Sequence, residues 1–121
     1  MSPAICFCRG AHHRSGAVLL HLYLRGFHRG DAHCLCNHIP SIRKYFEMGD
    51  LAGRIAPRKL VIAAGREDAI FPLPGTERVF SQIARIYADA GVPLNCALVI
   101  GDGGHLNYAD LLWEKLHKMG V

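Results

Sequence analysis

The feature that most constrains this fold is a short apolar run, Leu60–Ala64, that ends at a glycine. Its residues do not alternate between apolar and polar, which is typical of a parallel strand that is covered on both faces. Gly65 ends the run, and the carboxylate of Asp68 follows three positions later. Because α/β proteins place functional side chains just beyond the carboxyl ends of parallel strands, Asp68 is a candidate functional acid.

Further strands and helices are predicted on both sides of this run. Apolar runs predict strands over 17–24 and 95–100, and apolar residues at helical spacing predict helices over about 39–49, 75–90 and 107–120. The order β-α-β-α-β-α indicates an α/β fold, with about three parallel strands joined by right-handed crossovers. Gly49 is expected to end the first helix, with 50–57 as a connection, and Asn107 is expected to cap the last helix.

A second glycine-rich turn carries a histidine. The segment Gly101-Asp-Gly-Gly-His105 follows the last predicted strand. Parallel strands end at the same edge of a sheet, so Asp68 and His105 are expected to be neighbours. A carboxylate that holds one imidazole nitrogen leaves the other to accept a proton from a nucleophile. The pair is therefore a candidate orienting acid and general base.

Simpler roles for these residues are also consistent with the sequence. Asp68 could make only a turn hydrogen bond, and His105 could be a turn or cap residue. Glu67 competes for the role of the acid, and Asp102 could orient His105 locally, although adjacency in a tight turn makes that geometry poor. The polar groups just after the turn, those of Tyr108 and Asp110, are expected to serve the start of the last helix.

Composition limits the class of protein. The chain has 121 residues, half of them hydrophobic, which is enough for one domain with a core. Its net charge is +4, with eight Lys/Arg against three acids in residues 1–58 and six against seven in 59–121. No nucleic-acid motif accompanies this charge, so we expect no nucleic-acid partner. The apolar run 16–24 is too short for a membrane span and lacks a cleavage site, so we expect a cytoplasmic protein without a membrane partner.

The cysteines and histidines leave an alternative open. Five cysteines cannot all pair within one chain, and reduced cytosolic thiols are the simpler interpretation. Several could nevertheless bind zinc together with nearby histidines, although the C-x-C spacing departs from the usual C-x₂₋₄-C. The potential ligands are Cys6, Cys8, His12, His13, Cys34, Cys36 and His38. The alternative function is thus a small non-catalytic binding module, with a metal site or an anionic partner.

The two turns and their surroundings resemble the C-terminal half of an α/β-hydrolase. The resemblance runs over 16–120 and is closest over 36–110, so 1–15 is interpreted as an irregular leader and 16–121 as the C-terminal part of the domain. Its bacterial acetyl xylan esterase and dienelactone-hydrolase-like branch is the most similar. The segments that carry the resemblance are Cys36-Asn-His-Ile-Pro40 through Tyr45-Phe46-Glu-Met-Gly-Asp50, Ala56-Pro57-Arg58-Lys-Leu-Val-Ile, Gly65-Arg-Glu-Asp68-Ala-Ile-Phe-Pro72 and Gly101-Asp-Gly-Gly-His105.

This resemblance implies a function and a defect. It implies hydrolysis of esters, including acetyl groups on carbohydrate, with Asp68 as triad acid, His105 as base and no cofactor or metal ion. The family also places a nucleophilic serine in a Gly-x-Ser-x-Gly elbow ahead of these residues. The serines of this chain lie at positions 2, 15, 41 and 81, and none has that context. The chain is therefore expected to be a fragment that is inactive alone.

A fragment of this kind should also associate with itself. If strands of the larger sheet are missing, the predicted strand at 17–24 would present an unpaired apolar edge. Such edges pair with other chains. We expect dimerisation, aggregation or poor solubility.

Overall fold

A computed structural model describes residue 41 and residues 44–120 of the chain. The predicted leader over 1–15 and the predicted strand over 17–24 lie outside these residues. The elements in order are helix α1 (Met48–Gly53), strand β1 (Leu60–Gly65), helix α2 (Leu73–Asp89), a 3₁₀ turn (Pro93–Asn95), strand β2 (Cys96–Gly101) and helix α3 (Ala109–Lys118). The described part is therefore mixed helix and strand, which is compatible with the expected α/β class.

Strands β1 and β2 pair in parallel. The register runs without a break from Leu60 opposite Cys96 to Gly65 opposite Gly101. All six residues of β1 are buried, whereas β2 is only partly buried until Gly101. The continuous apolar run of β1 is thus explained by cover on both faces, as its lack of alternation predicted.

Helices cover the two faces of this strand pair. Alternate residues of a strand point to opposite faces. On one face, Leu60 and Ile62 pack against Ile83 and Tyr87 of α2 and against Ala52 of α1. The other face is a separate cluster in which α3 covers the strands, and it consists of Val61, Ala63, Leu112 and Leu116. This arrangement fixes where both strands end, and hence where the loops that follow them lie.

Helix α1 corrects the prediction for residues 39–57. The helix begins only at Met48, so residues 44–47 of the predicted helix are not α-helical. Gly49 lies inside it, and the helix continues through 50–53 where a connection was expected. A side chain at Gly49 would meet Gln82 of α2, and one at Gly53 would meet Ile86. The two glycines therefore let α1 approach α2 closely, so the first of them serves packing rather than helix termination. Asp50 links the same helices, because its Oδ1 accepts a 2.6 Å hydrogen bond from Gln82.

Helix α3 begins later than the sequence predicts. Its N-cap is Tyr108, without a capping hydrogen bond from the side chain, and its first residue is Ala109. The prediction that Asn107 caps the helix was wrong, because the turn after Gly101 extends one residue further than expected. Helix α2 begins at Leu73 with Pro74 in its first turn, a position where a missing backbone N–H costs little. No helix within 44–120 is long and apolar enough to cross a membrane.

Candidate active site

The loop after β1 is tied to the loop after β2 by backbone hydrogen bonds. The N–H of Arg66 donates to the carbonyl of Gly101 at 2.8 Å, and the N–H of Glu67 donates to that of Gly103 at 3.0 Å. These bonds continue the backbone contact between the two segments beyond Gly65 and Gly101, the last paired residues of the strands. The residues that follow in each loop, Asp68 and His105, are thereby brought to the same edge of the sheet.

Asp68 is buried at this edge and holds its own loop. Only 6% of the residue is exposed. Its Oδ1 accepts hydrogen bonds from the N–H groups of Ile70 at 2.8 Å and Phe71 at 2.9 Å. This is the turn hydrogen bonding that an aspartate commonly makes with residues two and three positions ahead. It leaves the second carboxylate oxygen to point out of the loop.

That second oxygen contacts His105. Nδ1 of the imidazole lies 3.0 Å from Oδ2 of Asp68. The His105 side chain is 30% exposed, whereas that of Asp68 is 3% exposed. The ring of Phe71 lies beside the imidazole, with 5.5 Å between the ring centroids. The carboxylate is therefore shielded from solvent, while the imidazole reaches the surface. Asp68 makes both the turn hydrogen bonds and the contact with His105.

The negative charge of Asp68 determines which tautomer a neutral His105 ring adopts. Burial by itself raises the pKa of the Asp68 carboxyl, but hydrogen bonds from the Phe71 N–H, the His105 ring and the Ile70 N–H outweigh burial and hold the pKa below its usual value. The carboxylate is consequently ionised at neutral pH and only accepts hydrogen bonds. A neutral His105 that bonds to it must carry its proton on Nδ1, so Nε2 is the basic nitrogen.

The other acidic residues considered as partners of His105, Glu67 and Asp102, do not take that role in the structure. Glu67 is exposed, and Asp102 accepts a 3.2 Å hydrogen bond from Arg66 at the surface. Asp110 lies in the first turn of α3, where its charge favours the helix, as expected. Tyr108 precedes that helix, but its hydroxyl donates to the carbonyl of Gly104 at 2.8 Å instead of capping it.

Close packing between the two loops requires glycine at two strand ends. A side chain at Gly65 would meet the carbonyl oxygens of Gly103 and Gly104, and one at Gly101 would meet the ring of Tyr108. Sequence reasoning assigned Gly65 to strand termination and Tyr108 to the helix start, and so it missed their packing roles. No local signal in the sequence identifies these roles, because both depend on how the loops pack against each other in three dimensions.

Neither described serine is built as a nucleophile. Ser81 lies on α2 and donates a 2.9 Å hydrogen bond from its hydroxyl to the carbonyl of Glu77. Ser41 is exposed and precedes α1. Among the described residues, the free thiol is that of Cys96 at the start of β2, the opposite end of the sheet from His105, and burial raises its pKa. A thiol with a raised pKa is a poor nucleophile at neutral pH.

The alternative metal site falls on residues that the structure does not describe. The cysteines and histidines proposed for it all lie before residue 41. Within residue 41 and 44–120, no group of three or more His, Cys, Asp or Glu side chains is placed to hold a metal ion. The pair formed by Asp68 and His105 is thus the chemically distinctive feature of the described part.

Comparison with known proteins gives a limited similarity. No protein-family model matches the chain, and no solved structure matches it. The chain is 27% identical over 86 residues to a protein of Bacillus subtilis (strain 168) named "Putative hydrolase YtaP". The matched stretch covers 71% of this chain and 29% of that protein, so the chain spans less than a third of the length of this relative. The similarity therefore suggests a hydrolase, and it rests on a stretch that covers only part of the relative.

Proposed function

We propose that the chain supplies the acid and the base of a serine ester hydrolase of the α/β-hydrolase type. The observation that carries the proposal is the 3.0 Å contact between Nδ1 of His105 and Oδ2 of Asp68, just beyond the ends of two paired parallel strands. A buried carboxylate that orients a partly exposed imidazole is the arrangement needed for general base catalysis. The similarity to the Bacillus subtilis protein named "Putative hydrolase YtaP" supports a hydrolytic reaction.

In this reaction His105 would transfer a proton twice. Its Nε2 would accept the proton of a serine hydroxyl as the serine oxygen attacks the ester carbonyl, and the resulting imidazolium would give that proton to the leaving alcohol. Asp68 would keep the ring in the tautomer protonated on Nδ1 and stabilise the imidazolium. Hydrolysis of the acyl-enzyme would repeat the cycle with water. Support comes from the difference in exposure, which leaves the imidazole, and not the carboxylate, accessible to a reactant.

The nucleophile is the part that this sequence does not provide. None of its four serines stands in a Gly-x-Ser-x-Gly elbow, and the 29% coverage of the Bacillus subtilis protein leaves room for one in a longer chain. We propose that the chain is a fragment of such a hydrolase and is inactive alone. The resemblance to the acetyl xylan esterase branch makes small esters and acetylated carbohydrate the proposed substrates.

The proposal is tested first on the purified chain with a small chromogenic acetyl ester. We expect turnover no faster than that of a His105→Ala variant, because removal of a triad nucleophile typically lowers the rate by a factor on the order of 10⁶. Robust turnover that His105→Ala abolishes would show that a nucleophile is present after all. An Asp102→Asn variant controls for loss of a nearby surface carboxylate, since Asp102 lies on the same loop but pairs with Arg66.

The second arm tests for the missing part. The DNA upstream of Met1 is translated in all three frames, and any frame that encodes a Gly-x-Ser-x-Gly motif after a predicted strand is joined to the chain. We expect the joined protein to hydrolyse the acetyl ester and to lose this activity in His105→Ala. Activity that His105→Ala leaves intact would contradict the role of His105.

A further inference from the structure

His105 occupies the centre of a three-residue turn whose first carbonyl accepts two hydrogen bonds. The N–H of Leu106 donates to the carbonyl of Gly104 at 2.9 Å, which closes the turn around His105. The hydroxyl of Tyr108 donates to the same carbonyl at 2.8 Å. The peptide group that carries the His105 backbone nitrogen is therefore held from outside the turn as well as from within it.

The position of Tyr108 is itself fixed by packing. Its ring packs partly buried against the cluster that α3 forms with the strands, which contains Val61 and Leu112. The ring also covers Gly101, where a side chain would collide with it. A ring anchored in this way holds its hydroxyl in one place at little further entropic cost.

The Gly104 carbonyl is also confined from the other side. A methyl group at Gly65 would meet this carbonyl oxygen and would lie 2.8 Å from the Tyr108 hydroxyl oxygen. Gly65 is the last residue of β1, three positions before Asp68. The carbonyl therefore lies between the strand that leads to the acid and the tyrosine that follows the histidine.

We propose that Tyr108 is a positioning residue for His105. Its hydroxyl fixes the Gly104 carbonyl against Gly65, and this sets the distance between the imidazole and Asp68. Any catalytic consequence rests on the function proposed above, but the positioning itself does not. It can be measured in the chain without turnover, so failure of the hydrolase proposal and failure of this one are separate results.

The test uses the 121-residue chain labelled with ¹⁵N. Nuclear magnetic resonance (NMR) at neutral pH reads the Nδ1–H proton of His105, which is identified because His105→Gln removes it from the spectrum. The Tyr108→Phe variant deletes only the hydroxyl and keeps the ring in its cluster. We expect exchange of the Nδ1 proton with water to become about five- to tenfold faster, the factor that corresponds to the net contribution of one hydrogen bond.

Tyr87→Phe is the matched control. The hydroxyl of Tyr87 also donates to a backbone carbonyl, that of Arg58 at 2.7 Å, but at the start of β1 rather than beyond its end. Both variants lose the same kind of bond, so their costs in stability are expected to be similar. Only Tyr108→Phe should speed exchange at His105.

Three results would overturn the proposal. The first is equal exchange in the two variants, since that would make the effect one of general stability. The second is unfolding of Tyr108→Phe under conditions where Tyr87→Phe stays folded, since the hydroxyl would then determine the fold rather than the position of one ring. The third is a neutral His105 ring that carries its proton on Nε2 in the unchanged chain, because the hydrogen bond from Nδ1 to Asp68 that Tyr108 is proposed to position would then not form.

Discussion

The two ends of the β1–β2 pair are held together by different kinds of interaction. At the amino end, the bonds are between neutral groups: Tyr87 donates to the carbonyl of Arg58, and Asn95 donates to that of Pro57 at 2.7 Å. Burial raises the pKa of Tyr87 to about 12, so its hydroxyl remains a neutral donor at ordinary pH. At the carboxyl end, glycines bring two loops together around an ionised carboxylate and an imidazole.

The amino end of the strand pair contains only structural hydrogen bonds in this comparison, whereas the carboxyl end contains the pair proposed to take part in catalysis. Neutral hydrogen bonds fix the amino end without any dependence on pH in the physiological range. The carboxyl end depends on the charge of Asp68, which is buried and accepts three hydrogen bonds. A buried charge is costly to keep unless it is fully bonded, so its presence there needs the surrounding donors. Each of the following variants disrupts the interactions at one end of the strand pair and leaves those at the other end unchanged.

The largest effect is expected from Gly65→Ala. The added methyl group would collide with backbone oxygens of the loop that carries His105, and relief requires the two loops to move apart. We expect the free energy of unfolding to fall by about 3 kcal/mol, measured by urea denaturation. Gly104→Ala is the control, because its methyl group would meet only the Glu67 carbonyl oxygen at an ordinary 3.5 Å. Equal losses in the two variants would contradict the proposed close packing at Gly65.

A smaller but still large loss is expected from Asp68→Ala. It leaves the buried N–H of Phe71 and the N–H of Ile70 without their acceptor, and an unsatisfied buried donor costs about 1–3 kcal/mol. The loss is measured by urea denaturation at pH 7. Asp102→Ala, which removes an acid from the surface of the neighbouring loop, should cost at most about 0.5 kcal/mol. A comparable cost for both acids would show that Asp68 is no more structural than a surface carboxylate.

Acid should weaken the carboxyl end selectively. The folded-state pKa of Asp68 lies below its unfolded value of 3.8, so its ionisation contributes stability that is fully present well above pH 3.8. That contribution is lost as the pH falls through 3.8 towards the lower folded-state pKa. Asp68→Asn removes the titrating group, and urea midpoints measured from pH 5 to pH 2.5 should therefore fall less steeply than in the unchanged chain. Parallel pH profiles would contradict a lowered pKa.

The smallest effect is expected at the amino end. Tyr87→Phe loses one neutral hydrogen bond, which corresponds to about 1 kcal/mol of unfolding free energy. Its acid profile should keep the shape of that of the unchanged chain, since neither the Tyr87 hydroxyl nor the Arg58 carbonyl changes charge between pH 5 and pH 2.5. A flattened profile in Tyr87→Phe would show that the two ends are coupled.

The part of the fold that follows from local pattern was predictable. The unalternated run in β1 predicted a strand covered on both faces, and the helical spacing in 75–90 predicted α2 to within two residues at its start. The proximity of Asp68 and His105 followed from the rule that parallel strands end at the same edge. The catalytic role of the pair stays a prediction, as does the unpaired edge at 17–24, which lies outside the described residues.

The part that depends on contacts between distant residues was not predictable. Gly49 looks like a helix stop in the sequence, but it lies inside α1, at a position where a side chain would meet Gln82 of α2. Asn107 is a good helix cap by residue type, but the helix begins later because the preceding turn extends to Tyr108. Likewise, nothing near Tyr108 in the sequence shows that its hydroxyl reaches back to Gly104.

The hydrogen bond between Asp68 and His105 can be tested most directly by ¹⁵N NMR of the His105 ring. At a pH where the ring is neutral, the two ring nitrogens have different chemical shifts that identify which one carries the proton. We predict that the proton resides on Nδ1 in the unchanged chain, and that Asp68→Asn removes this preference while Asp102→Asn does not. A neutral ring protonated mainly on Nε2, or a preference for Nδ1 that survives in Asp68→Asn, would contradict an orienting role for Asp68.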